Sequence, residues 1–365
     1  MLKNKTVAVV VPAYNEESQI GMVIETMPEF VDRIVIVNDC SGDGTAQAVK
    51  KYLHSSDASV RIPLHDPKAG GDSRYNRAIH IMQEILQRED AFFTPSEVVN
   101  ATPDTDRIIL INHLKNGGVG AAIATGYKWC RDHAIDCTAV MAGDGQMDPA
   151  ELEALCLPVL TEGLDYVKGN RLIHPSARLL IPPIRFFGNS VLSILTKIAS
   201  GYWHVSDTQT GYTAVSLKAL RAIKLYDIYH SYGMPNDMLV KLNINFCSLR
   251  EIMIKPVYNV GECSKMKIWK VIPRISLLLF CGFFKRLYRK YLLVDFHPLF
   301  LLYHLAFLML LCSIPYGIKI GLSFFHNRAI GVLPVLAFVF LFFNGMNALF
   351  FSMWLDMQDN ERLNK

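Results

Sequence analysis

The chain has 365 residues, 51% hydrophobic and 19% charged, with a formal net charge of only +4. That length holds one large catalytic domain with a membrane part, or two modest domains. So small a charge excess excludes a nucleic-acid binder that works by bulk charge, and no nucleic-acid partner is expected.

Polar Met1–Thr6 reads as no secretory signal, which keeps the N-terminal part in the cytosol. Val7–Val11, a Val-rich run ended by Pro12, predicts a buried parallel strand. Asn15–Met27 reads as a helix with Glu16 and Glu17 in its first turn. Arg33–Val37 is a second buried strand, closed by the turn-rich run Asn-Asp-Cys-Ser-Gly-Asp-Gly, and Thr45–Tyr52 starts another helix. This alternation predicts a mainly parallel sheet with helices on both faces. It breaks at about residues 55–105, read as an insertion with its own helix, Tyr75–Arg88, between loops at His65–Ser73 and Phe93–Thr105. The pattern resumes with strand Arg107–Asn112, helix Ala121–His133, and short strands Ala139–Met141, Tyr166–Lys168 and Glu251–Val257.

The C-terminal part has a different composition. Ile268–Leu293 mixes apolar and basic residues and predicts one or two helices lying on a membrane surface. Lys265, Lys267, Lys270, Arg274, Lys285, Arg286, Arg289 and Lys290 crowd there and suit an anionic membrane surface or a phosphate ligand. Two apolar stretches, about Leu299–Ile320 and Gly331–Leu355, are each long enough to cross a hydrocarbon core of about 30 Å. The basic residues before the first span place that end on the cytosolic side, and two spans return the tail Asp356–Lys365 to it. The eight cysteines form no CxxC pair and fit free thiols in a reducing compartment.

Open parallel sheets bind ligands at the carboxyl ends of their strands. Here Pro12–Glu16, Asn38–Thr45 and Ala142–Asp148 fall at such ends. Asp144, flanked by glycines, can meet Mg²⁺ or Mn²⁺, which prefer oxygen ligands and keep substrate phosphates in their shell. Asp148, just before Pro149, suits a helix cap. His113, His133, His174 and His204 lack metal-ligand spacing and read as structural.

VPAYNEE at 11–17, VNDCSGDGT at 37–45, NGGVGAAIATGY at 116–127 and GDGQMDP at 143–149 resemble family 2 glycosyltransferases of the GT-A fold. DTQTGY at 207–212 resembles the dolichyl- or polyprenyl-phosphate sugar synthase branch. The resemblance implies a GT-A domain over 1–262, amphipathic interface helices over 263–296, and two transmembrane helices with a short cytosolic tail over 297–365. It implies that Pro12, Tyr14, Glu16, Asp39, Asn116 and Gly120 contact the nucleotide-sugar, with Asp144 and Gln146 at the metal and diphosphate. Arg171, Arg185, Asp207, Gly211, Ser264 and Lys265 then face an acceptor phosphate. One departure stands out: Ala142 occupies the place of the usual first acid of an Asp-x-Asp pair.

The implied activity is metal-dependent transfer of a sugar from a UDP- or GDP-linked donor to a polyprenyl or dolichyl phosphate, at the cytosolic face of a bilayer (the inner membrane, in a bacterium). A lipid phosphate is already a dianionic nucleophile at neutral pH and needs no general base. Arg171 and Arg185 would grip it, because guanidinium binds phosphate in a forked geometry. The alternative acceptor is a lipid or glycan hydroxyl with Asp237 as base. A non-catalytic membrane scaffold is the remaining reading, and a homo-oligomer is left open.

Overall fold

The computed structural model describes residues 1–53, 61–64, 76–180, 183–257, 268–326 and 329–365. The N-terminal part is built on eight strands: β1 (Val7–Ala13), β2 (Arg33–Asn38), β3 (Ser96–Val98), β4 (Ile108–His113), β5 (Cys137–Val140), β6 (Tyr166–Asn170), β7 (Thr213–Ser216) and β8 (Leu249–Met253). They form one sheet in the order β3-β4-β2-β1-β5-β7-β6-β8. β4, β2, β1 and β5 run parallel, as does β6 with β8; β3 and β7 are antiparallel to their neighbours. A largely parallel α/β fold is therefore present, as the sequence pattern implied.

The near-continuous apolar strands are explained by two covered faces. Val7, Val9 and Val11 of β1 enter one core with Ile34, Ile36 and Leu110. Ala8 and Val10 enter the other with Val35, Ile109 and Tyr127. α1 (Ile20–Glu25) and α5 (Leu152–Thr161) supply the first core; α4 (Val119–Asp132), α8 (Leu217–Ala222) and α9 (Met234–Ile244) supply the second. α2 (Thr45–Leu53), α3 (Arg77–Glu89), α6 (Ala177–Leu180) and α7 (Pro183–Ser200) complete this part.

Three local expectations are corrected. The first helix starts at Ile20, not Asn15, because the backbone N–H groups of Asn15, Glu16 and Glu17 bond to side chains of the 41–45 loop instead of entering a helix ladder. The Phe93–Thr105 stretch contains β3, paired to the edge of β4. The last strand begins at Leu249, before the apolar run that suggested it. The loop expected at His65–Ser73 lies outside the described residues.

Beyond the sheet, α10 (Ile268–Tyr288) ends in a π-helical turn at Arg289–Val294, followed by α11 (Leu299–Phe325) and α12 (Val332–Glu361). α11 and α12 are both long and apolar enough to cross a membrane by length and composition. They pack closely on each other where small residues permit: a Cβ on Gly345 would lie 3.0 Å from Leu310, and one on Gly317 3.0 Å from Phe338.

The end of α12 returns to the sheet. Leu249 N–H donates to Leu363 O at 2.7 Å and Lys365 N–H to Leu249 O at 3.0 Å, so the tail lies beside β8. Arg286 forks onto Asp356 at 2.7 and 2.8 Å, and Lys290 pairs with Asp359 at 3.2 Å. Arg286, Lys290 and Asp356 are fully buried. This corrects part of the basic-cluster expectation: Arg286 and Lys290 bind the chain's own tail, Lys285 pairs with Asp227 at 2.8 Å, and Arg274 and Arg289 stay exposed. Gly201, at φ +78°, makes room for the junction, since a Cβ there would meet the Arg286 guanidinium at 2.5 Å.

Candidate active site

The loops after β1, β2, β4 and β5 leave the same edge of the sheet, and the sequence explains how they interlock. Asp43 caps α2 through Thr45 N–H at 3.0 Å and also accepts Glu17 N–H at 3.2 Å. These bonds outweigh burial and hold its carboxyl below the usual range. Thr45 Oγ1 accepts Glu16 N–H at 2.9 Å, and Asn15 Oδ1 accepts Gly42 N–H at 2.9 Å. Pro12 is half-buried at the end of β1, while Tyr14 is 42% exposed at the mouth of this latch.

Asp39 is buried. Its Oδ1 accepts Gly117 N–H and meets His113 Nδ1, each at 2.7 Å; its Oδ2 accepts Gly118 N–H at 2.7 Å. Burial, which would raise its pKa, is outweighed by the His113 and glycine hydrogen bonds, which lower it. The carboxylate of Asp39 thus ties the glycine turn to the end of β2. Asn116 joins it by donating to Asp39 O at 3.3 Å. The turn presses on the chain's own backbone: Gly120 N–H donates to His230 O at 2.9 Å, and a Cβ on Gly120 would collide with Tyr229 O. Gly118, at φ +87°, is equally tight against His230 O.

Asp144 sits half-buried after β5. Its Oδ1 accepts Gln146 N–H at 3.0 Å, around Gly145 at φ +73°. Asp148 caps the following 3-10 turn through Ala150 N–H at 2.9 Å, in the role expected of it. Ala142 N–H lies 3.2 Å from Met147 Sδ, so the place of the missing acid is covered by a thioether. Among the described residues no group of three or more His, Cys, Asp or Glu is arranged to hold an ion. A single carboxylate beside a diphosphate nevertheless fits Mg²⁺ or Mn²⁺, because such ions keep substrate oxygens and waters in their shell.

On the other half of the sheet, Asp207 is buried and accepts from one edge of the Arg171 guanidinium, Nε at 2.8 Å and Nη2 at 3.1 Å, and from the Arg171 backbone N–H at 3.1 Å. Burial opposes the Asp207 charge, but Arg171 and Lys168 outweigh it and lower its pKa. Glu251 accepts Ser206 N–H at 2.9 Å, Asp207 N–H at 3.0 Å and Asn170 Nδ2 at 2.7 Å; burial raises its pKa. Lys168, fully buried, donates to Thr210 O, and burial pushes its pKa down to about 8. Lys168, Asn170 and Glu251 were not anticipated from sequence; an Asn and a Lys inside a buried strand were the available signal. Gly211 has space for a side chain, with Met147 Cε 3.6 Å from a built Cβ. Arg185 falls in the first turn of α7 with a side chain outside the described residues, as are Ser264 and Lys265.

α9 joins the two halves. Asp237, in its first turn, accepts Tyr229 N–H at 2.8 Å and pairs with Lys241, both through Oδ2. Asn236 Oδ1 accepts Gln209 Nε2 at 2.9 Å and Thr196 Oγ1 at 3.0 Å. The segment from Tyr229 to Asp237 thus touches the glycine turn on one side and the Asp207 loop on the other. Asn236 was also missed in the sequence.

The Glycosyl transferase family 2 description matches residues 8–83 and 94–224, more than half of the chain. A UDP-N-acetylglucosamine–dolichyl-phosphate N-acetylglucosaminyltransferase of Methanococcus voltae is 26% identical over 282 residues, covering 76% of this chain and 97% of that protein. An uncharacterized protein of Methanocaldococcus jannaschii is 25% identical over 259 residues, 70% of this chain and 84% of that one. Among solved structures, glucosyl-3-phosphoglycerate synthase from Mycobacterium tuberculosis with Mn²⁺, UDP and phosphoglyceric acid aligns at TM-score 0.46 and 15% identity, covering 78% of each chain. Its Mg²⁺ and UDP complex aligns at TM-score 0.44 and 15% identity, covering 78% of this chain and 79% of that one. The cofactor expected from the sequence, Mg²⁺ or Mn²⁺, is the one those complexes hold.

The expected acceptor is corrected. In this chain the Arg171 fork that was to grip a lipid phosphate is engaged on Asp207. Transfer to a lipid phosphate at the membrane face therefore does not stand. The fold, the ordered motifs and the family match agree on the coarser identity: the chain belongs to glycosyltransferase family 2 and is a GT-A-type glycosyltransferase.

Proposed function

We propose that the chain transfers a sugar from a UDP-sugar to an acceptor hydroxyl, with Asp237 as the general base. The reading divides the chain into a catalytic domain over 1–262, an interface segment over 263–296 and a two-span membrane anchor over 297–365, with the catalytic domain on the cytosolic side. The exposed apolar surfaces of α11 and α12, including Leu311, Phe324, Leu333 and Phe343, support the anchor.

The observation that carries the reading is the position of Asp237. Its Oδ2 is held by Tyr229 N–H and Lys241, while neither of those bonds uses Oδ1. The same Tyr229–His230 segment clamps the glycine turn after β4, so the base is tied to the donor side through the backbone. An alcohol needs a base to take its proton, and a fixed carboxylate supplies one. Asp144 and Gln146 would hold the metal and diphosphate, and the glycine turn, Pro12, Tyr14 and Glu16 would hold the nucleotide. Bound there, Mg²⁺ or Mn²⁺ would neutralise charge on the departing diphosphate. A single displacement inverts the anomeric carbon.

Asp237→Asn keeps the side-chain volume and removes the proton acceptor. It is expected to lower kcat about 10²–10⁴-fold with UDP affinity retained. Steady-state transfer to an alcohol acceptor measures this, and an unchanged kcat in the Asp237→Asn variant would refute the proposal.

A further inference from the structure

Resting on transfer to a hydroxyl, we infer that this hydroxyl belongs to the headgroup of a membrane lipid, and that Asn236 orients it in the cavity between α9 and α10. The cavity has a volume of about 220 Å³ and lies where the catalytic domain meets α10. Its polar wall includes Asn236, Asp237 and Lys241; its apolar wall is Val240, Leu278, Leu279 and Gly282.

Asn236 is fully buried, and its Nδ2 has no hydrogen-bond partner among the described residues. Its Oδ1 accepts from both Thr196 and Gln209. A buried donor without an acceptor is uncommon and points to a ligand oxygen. The neighbouring residue, Asp237, presents the opposite need, a carboxylate oxygen seeking a proton. A hydroxyl answers both: its oxygen accepts from Asn236 Nδ2 while its hydrogen goes to Asp237 Oδ1. A phosphate dianion answers only the first and is repelled by Asp237.

The apolar wall selects the kind of alcohol. Gly282 lets α10 approach α9 closely, with a built Cβ 3.2 Å from Val240. The outer side of α10 carries exposed Ile272, Leu277 and Phe280, a surface suited to a bilayer. The volume is below the roughly 300–1,000 Å³ of a pocket for a whole small ligand. It therefore takes a headgroup, with the acyl chains left outside along α10. In the transfer, the hydroxyl oxygen bonds to the anomeric carbon as the bond from that carbon to the diphosphate oxygen breaks. The electron pair leaves with UDP, and the hydroxyl proton moves to Asp237 and then to water.

The test uses the full chain in phosphatidylcholine vesicles with radiolabelled UDP-glucose and UDP-N-acetylglucosamine. One set carries diacylglycerol, phosphatidylglycerol and phosphatidylinositol; a second is phosphatidylcholine alone; a third adds glycerol to the water. Label is expected in the lipid phase of the first set only, and Cys281→Trp, which fills the cavity, is expected to abolish it. Asn236→Ala and Asn236→Asp are expected to raise the KM for the lipid about tenfold, the loss of one hydrogen bond, with UDP binding by calorimetry unchanged. No label in any hydroxyl lipid, or equal transfer to glycerol that survives Cys281→Trp, overturns the lipid assignment. An unchanged KM in both Asn236 variants overturns the role of Asn236. A kcat indifferent to Asp237→Asn sinks the parent reading instead.

Discussion

The two ends of the molecule solve the same problem, holding loops in place, with different chemistry. Around the loops at the carboxyl ends of the parallel strands, carboxylates accept backbone N–H groups: Asp39 from Gly117 and Gly118, Asp43 from Thr45 and Glu17, Asp144 from Gln146. Where α10 and the turn after it meet the tail, full charges pair inside the protein, Arg286 with Asp356 and Lys290 with Asp359. Backbone donors hold these loops together, with the Tyr14 side chain 42% exposed at their mouth. Buried ion pairs bind elements far apart in sequence, but removing one partner leaves an uncompensated charge. The first arrangement holds the loops at the strand ends; the second fixes the end of α12 to the sheet.

Variants at each end separate these roles. Between these two ends, the largest effect on turnover is expected at Asp144. Asp144→Ala should lower turnover about 10²–10³-fold, the worth of several kcal/mol of charge stabilisation, with melting temperature little changed; steady-state transfer and calorimetric unfolding read the two quantities. Arg286→Leu should do the reverse, costing about 3–5 kcal/mol of stability. The paired Arg286→Leu and Asp356→Leu variant should recover much of it, as denaturant unfolding would show. If Arg286→Leu melted normally, the contrast would fail. Asp39→Asn should cost about 1–3 kcal/mol by breaking the glycine turn's partners, and weaken UDP binding as well.

A pH series sharpens the middle of the sheet. Burial lowers the folded pKa of Lys168 from 10.5 to about 8. Between those values the unfolded chain holds a proton that the folded chain has released, so stability from this group rises with pH. The melting temperature of the wild type, relative to Lys168→Met, should climb from about pH 8 toward pH 10.5. A relative decline over that window would place the charge balance of Lys168, Asp207 and Glu251 elsewhere.

Legibility followed sequence distance. The Asp43 cap on Thr45 spans two residues and is readable in the motif; so is the Asp144 turn. The Asp39–His113 bond spans 74 residues, and Arg286–Asp356 spans 70, so no local pattern announces either. β3 and β7 are three and four residues long, too short for a periodic signal, and both are antiparallel members of a sheet expected from its parallel units. The two long apolar helices were plain from hydropathy, whereas the docking of the tail beside Leu249 depends on backbone hydrogen bonds that composition does not encode.

The linkage of the product tests the acceptor chemistry most directly. The purified full chain is supplied with labelled UDP-sugar and a membrane extract, and the labelled product is treated with mild acid. A sugar joined to a hydroxyl oxygen is a glycoside and should keep its label under that treatment. A sugar joined to a phosphate is labile, and release of free labelled sugar would contradict the assignment of Asp237 as base.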